Sequence, residues 1–209
     1  MKKIVLVSSL LFIVLLLGSC LTTLHPIFTE KDLVFDPRLN GKWSNKEDGS
    51  TAIYRIAQIS DVKSLSTSLK RNVSKTYMLE ERDAQGMLKS KQYAFMVKLG
   101  KYYYMDFYPV GAKGVDNEEK FFAAHYIPMH SIYRIRFKDD HSFDIQQLDA
   151  GYLENLIKNK KIRIRHEVTE DGNYVITAPT EELQKYIVKY SEIPEAYSKD
   201  NTATYSKMN

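Results

Sequence analysis

The chain has 209 residues, 44% of them hydrophobic and 27% charged, with a formal net charge of +4, 15 tyrosines and a single cysteine. That charge excess does not argue for nucleic acid, whose binders gather basic residues on one face. A lone cysteine leaves the core without a disulfide or a thiolate metal cluster, so burial and hydrogen bonding must hold it.

The first stretch carries an address. Lys2-Lys3 precede an apolar run from Ile4 to Leu17, and Leu17-Gly18-Ser19-Cys20 closes it, the three-part pattern of a secretory signal. The run is short for a permanent span, which needs about 20 apolar residues. A leucine three places before a cysteine, with two small residues between, resembles the lipobox of bacterial lipoproteins. The resemblance implies cleavage after residue 19, diacylglyceryl modification of Cys20 and acylation of the new amino terminus. It also implies a place in the cell envelope, on the outer membrane facing the periplasm. Without residues 1–19 the chain has 190 residues, and loss of two lysines lowers the formal excess to +2. That length suits one domain with a real core and flexible ends.

Residues 20–38 read as a lipidated tether with short apolar clusters, Leu24, Ile27-Phe28 and Leu33-Val34-Phe35, before a turn that Pro37 begins. From Leu21 to Asp36 such a tether would reach at most roughly 55 Å when extended. Gly41-Lys42-Trp43 opens the domain, with Trp43 as a core anchor. Thr51–Ile59 alternates as a strand. Over 61–73, Val62, Leu65, Leu69 and Val73 recur at spacings of three and four, so the segment reads as a short helix or a hairpin loop.

Strands are predicted over 75–82 and 90–99. Gly100-Lys101 is flanked by alternating apolar runs, and a glycine first in a two-residue loop fits a type II′ hairpin that sets Phe95 opposite Asp106 and Val97 opposite Tyr104. Residues 109–120 read as a loop, 126–137 and 143–148 as strands, 151–161 as a helix, and 162–168 with 174–178 as a hairpin. Thr180 is placed to cap a second helix with the stripe Leu183, Tyr186, Ile187 and Tyr190. The polar stretch 191–209 reads as a flexible tail. The whole predicts a mainly β fold: a single antiparallel, lipocalin-like barrel over 39–190, with two short helices near the C-terminus.

Gly41 and Trp43 resemble the Gly-x-Trp signature with which lipocalins open their first strand. That resemblance implies a short helical turn before the motif, a tryptophan plugging the closed end, and a helix outside the barrel after the last strand. The run from Leu24 to Pro37 leading into Gly41-Lys42-Trp43, with Thr180-Glu181-Glu182-Leu183-Gln184 opening a terminal helix, is also similar to uncharacterised bacterial lipoproteins, a likeness that implies a shared fold and no activity.

No stretch after Cys20 identifies a reaction, and the chain is not expected to be an enzyme. His25, His125, His130, His141 and His166 lack metal-ligand spacing, so neither a metal nor another cofactor is expected. Ser131 beside His130 lacks a nucleophile elbow. Asp106, between Met105 and Phe107, is either a barrel-interior carboxylate or a surface or salt-bridged one. Arg134, Arg136, Arg163 and Arg165 stand at alternate positions of two strands and would form an outward basic patch, able to meet anionic headgroups. Tyr103, Met105 and Phe107 are the candidate ligand-binding residues, because tyrosine offers an apolar body with a polar tip. The expected partners are therefore the membrane, through Cys20, and either a small apolar or amphipathic ligand or, for a filled barrel, another envelope protein.

Overall fold

The structure, a computed structural model, describes residues 21–62, 70–110 and 127–208. Residues 1–19 and Cys20, the middle of the segment 61–73, and most of the expected loop and strand entry over 109–126, with His125, lie outside the described residues.

In chain order the elements are β1 (Thr22–Thr23), β2 (Leu33–Val34), a 3-10 turn (Pro37–Leu39), β3 (Gly41–Asn45), β4 (Thr51–Ile56), β5 (Thr76–Arg82), β6 (Leu88–Leu99), β7 (Tyr102–Pro109), β8 (His130–Phe137), β9 (Ser142–Leu148), α1 (Ala150–Lys158), β10 (His166–Val168), β11 (Tyr174–Ile176), α2 (Thr180–Tyr190) and β12 (Tyr197–Lys207). Strands β3 to β9 form an antiparallel meander, and β12 pairs with β9 on one side and β3 on the other. The result is a closed eight-stranded antiparallel barrel with two short helices near the C-terminus, the class that the hairpin spacing predicts.

The hairpin at Gly100-Lys101 has the predicted register, with Phe95 opposite Asp106 and Val97 opposite Tyr104. Gly100 has φ +59° and Lys101 is not in the positive-φ region, the combination that separates a type II′ turn from a type I′ turn. Gly41 also needs to be glycine. Its φ is +130°, and a Cβ there would meet Lys207 Cε at 3.2 Å.

The expected tail over 191–209 is instead the strand that closes the barrel. In β12, Ala203 and Tyr205 join the inner cluster, and the Tyr205 ring stacks on Phe143 at 5.1 Å. Thr204 Oγ1, on the outer side, donates to Asp144 Oδ1 at 2.9 Å. A wall with one wet face can be polar at every second residue. Two partner strands supply the ladder that low strand propensity would not.

The expected tether is also part of the fold. Leu21, Thr23, Ile27, Phe28 and Leu33 are buried. Strand β1 takes the edge of β8 at His130 and Ser131, and β2 takes the edge of β6 at Met96 and Val97. Between them, Thr180 Oγ1 donates to Pro26 O at 2.8 Å, and Gln184 Nε2 donates to Ile27 O at 2.9 Å. The hydroxyl of Thr180 is thus spent on this strap, and Pro179, one residue earlier, is the cap position of α2. In α1, Asp149 caps the N-terminus by accepting from Tyr152 N–H at 2.7 Å.

There are two cores, one on each side of the wall. The inner core gathers Trp43, Tyr54, Tyr77, Leu79, Met96 and Met105, among others. The outer one packs the strap and both helices against residues such as Tyr93, Phe95, Val97, Tyr104 and Ile132. Tyr93 to Val97 is therefore buried at every residue, because both faces of β6 are covered there.

Candidate functional site at the open end of the barrel

One end of the barrel is plugged. The 3-10 turn puts Leu39 under Trp43, whose Nε1 donates to Leu39 O at 2.8 Å, and the indole meets Phe143 edge-on at 4.7 Å. Lys207 Nζ stands 5.2 Å from the Trp43 ring and donates to Arg38 O at 3.1 Å. The Arg38 guanidinium covers Phe137 at 4.3 Å while Asp36 holds it from the other side at 2.6 Å. Hydrogen bonding to Arg38 keeps the Asp36 carboxyl below the usual aspartate range, against the opposing effect of burial. Gly41 and Trp43, with the helical turn ahead of them, lie together at this end.

Toward the other end the inner face changes character. Register sets Ala52 directly opposite Trp43 and Ala94 directly opposite Tyr77, so small residues face the large rings across the inner wall, and Ala203, opposite Ile145, stands two positions beyond the partner of Phe143. Nearer the rim come Gln92, Ser90 and Glu81, with Gln92 Nε2 donating to Glu81 Oε2 at 3.1 Å and to Ser90 Oγ at 3.0 Å. Tyr133 and Tyr205 are half-buried there, and the Phe107 ring meets Tyr133 edge-on at 5.4 Å. Burial pushes the Tyr54 and Tyr205 phenols far above their ordinary pKa, so both are neutral donors at any physiological pH. Met87, Leu88 and Ile127, exposed apolar residues, belong to the strand ends and turn at this same rim.

The three candidate ligand residues share one face by register but not one environment. Met105 and Phe107 are buried in the inner cluster, where they are wall and filling at once. Tyr103 lies at the plugged end, 37% exposed, with Lys98 Nζ 5.7 Å from its ring. The half-buried polar positions at the open end, Glu81, Gln92, Tyr133 and Tyr205, were not singled out from sequence, although their alternation with Glu80, Tyr93, Arg134 and Thr204 was available.

Asp106 faces away from the interior. Its Oδ2 accepts from Ile27 N–H at 2.9 Å and its Oδ1 lies 2.6 Å from His130 Nδ1, which stacks beside Tyr108. The pair pins the strap to the wall. Ser131 and His130 are successive strand residues on opposite faces, which separates hydroxyl from imidazole. The expected basic patch is dispersed: Arg134 stacks on Tyr197 at 3.7 Å and donates to Ser191 O, and Arg136 pairs with Asp144. Among the described residues no group of three or more His, Cys, Asp or Glu is arranged to hold a metal, and no helix is long and apolar enough to cross a membrane.

The fold and this end of it define a closed antiparallel barrel with one aromatic plug, one polar rim and a strap across its outer wall. No protein-family model, curated protein or solved structure matches the chain.

Proposed function

We propose that the chain is a lipoprotein of the bacterial cell envelope, anchored through Cys20 to the outer membrane and facing the periplasm, that binds a small apolar or amphipathic ligand in the open half of its barrel. The observation that carries the ligand reading is the change along the inner wall. Large aromatic side chains fill the plugged end, while Ala203, half-buried tyrosines and the Glu81–Gln92 pair line the other. An aromatic and aliphatic wall below a few polar tips suits a molecule whose apolar part enters first and whose polar end stays at the rim. The anchor rests on the lipobox-like Leu17-Gly18-Ser19-Cys20. No reaction is part of this reading.

A second reading is an assembly factor that binds another envelope protein. The packed plugged half and the exposed Met87, Leu88 and Ile127 at the rim favour it.

Native mass spectrometry of the whole protein extracted from envelope membranes separates the two. Carriage requires a co-purified small molecule, with acyl mass on Cys20, and its loss from an Ala203→Phe variant that fills the half-buried inner wall. Repeated recovery of an empty barrel bound to a second protein would overturn carriage in favour of assembly.

A further inference from the structure

Outside the barrel, the end of α1, the segment leading into β10 and the first turn of α2 border an open groove of about 540 Å³, within the range that small-ligand sites occupy. Its floor is apolar, made by Ile157, Ile162 and the buried Ile164. Its rim is cationic, with Lys160, Arg163 and Arg165 against one carboxylate, Glu182. That carboxylate is already engaged: Glu182 Oε2 accepts from Arg165 Nε at 3.1 Å and Oε1 from Arg165 N–H at 2.9 Å. Among the described residues neither Lys160 nor Arg163 has an ion-pair partner. Two positive charges therefore stand uncompensated over an apolar floor.

The backbone makes a second, independent point. Lys160 has φ +56°, the one positive value at a non-glycine among the described residues. It ends α1 in a Schellman motif, with Lys161 N–H on Leu156 O at 2.8 Å and Lys160 N–H on Ile157 O at 2.9 Å. Glycine is the usual residue at that position because a Cβ is strained there. A lysine kept against that strain, at the lip of a groove, points to a use for its ammonium group. His166 adds a fixed ring at the edge of the groove: Nδ1 donates to Ile164 O at 2.8 Å, so Nε2 of the neutral ring is an acceptor, suited to a hydroxyl and not to an anion.

The groove also lies near the chain's entry to the fold. His166 pairs with Ile176, and Ile176 pairs with Thr23. Two strand spacings put the His166 backbone about 10 Å from that of Thr23, which follows Cys20 by three residues.

We propose that this groove binds an anionic amphiphile, with its phosphate or carboxylate held by Lys160 and Arg163 and the first carbons of its chain seated on Ile157, Ile162 and Ile164. An acidic phospholipid of the host bilayer and a free alkyl phosphate or fatty acid offer the same chemistry. The site is outside the barrel, so it stands whether or not the lumen carries a ligand.

The test uses the whole chain in phosphatidylcholine nanodiscs, titrated with decyl phosphate and, as a control without net charge, decylphosphocholine. Hydrogen exchange over residues 157–166 and calorimetry are the readouts. Decyl phosphate should bind and protect this segment, and decylphosphocholine should not. Lys160→Gly is the informative variant, because glycine suits the backbone there. It should unfold at a higher temperature yet bind decyl phosphate about ten-fold more weakly, the equivalent of one charged hydrogen bond. Arg163→Glu should lose binding with the fold intact. Protection already present in discs containing phosphatidylglycerol identifies a membrane lipid as the source, whereas protection only on adding decyl phosphate identifies a free amphiphile. No protection by either, equal affinity for decylphosphocholine, or unchanged affinity in both variants overturns the proposal.

Discussion

Asp106 has no exposed surface, so its carboxylate depends on protein partners alone, the Ile27 N–H and the His130 ring. Removing one side of such a buried hydrogen-bonded pair costs about 1–3 kcal/mol, since the other side is left desolvated. Asp106→Ala should lower stability by that order in urea denaturation and speed hydrogen exchange at Ile27. Asp106→Asn, which keeps an acceptor, should lose less. An Asp106→Ala protein as stable as the parent would remove this pair from the account. Sequence alone left Asp106 either inside the barrel or at a surface or salt bridge, because its partner is 24 positions away and joins it only through the pairing of β7 with β8. Trp43 was legible for the opposite reason. A lone tryptophan two residues after a glycine, ahead of an alternating strand, has few places to go other than the core.

At the scale of the element, the β6–β7 hairpin was readable to the register because every signal is local: a glycine at the position needing positive φ, flanked by apolar residues at alternate positions. Strand β12 was not, because its pairing energy comes from β3 and β9. Lys199, Asp200 and Asn201 have low strand propensity, and after them only Ala203 and Tyr205 carry the apolar alternation between polar threonines and serine. Truncation after Ala196 separates the two descriptions. A tail would be dispensable; a closing strand would not, and loss of Tyr197–Lys207 should leave the edges of β3 and β9 open and abolish cooperative unfolding, read by thermal circular dichroism. A truncated chain with an unchanged thermal transition would return the segment to the status of a tail. The strap shows a related limit. Its apolar clusters were visible, but Ile27 and Leu33 lie too far apart in the sequence for any period to reveal that they cross one wall.

At the scale of the molecule, the buried strap changes what an anchor at Cys20 would do. Leu21 is packed into the outer core, so the reach of roughly 55 Å allowed to an extended tether is not available to this chain. A protein lipidated at Cys20 would lie against its bilayer in a restricted orientation. Protease added to membranes carrying the protein should therefore fail to shave off the domain under native conditions, because residues 21–36 offer little free chain. A flexible insert between Cys20 and Leu21 should make it releasable. Rapid release of the parent protein by cleavage within 21–36 would contradict this picture.

The position of β12 also bears on how the fold is reached. Lys207 and Arg38 bond across 169 positions of the chain, and the wall between them cannot become a cylinder until the last strand is in place. Seven strands can zip up neighbour by neighbour as they are made. The seam then waits on a segment separated from them by two helices and a hairpin, and long-range pairing of this kind is slow. During that wait two unpaired strand edges face outward. The late, polar strand is thus the component that sets how long the half-made barrel is exposed to wrong partners.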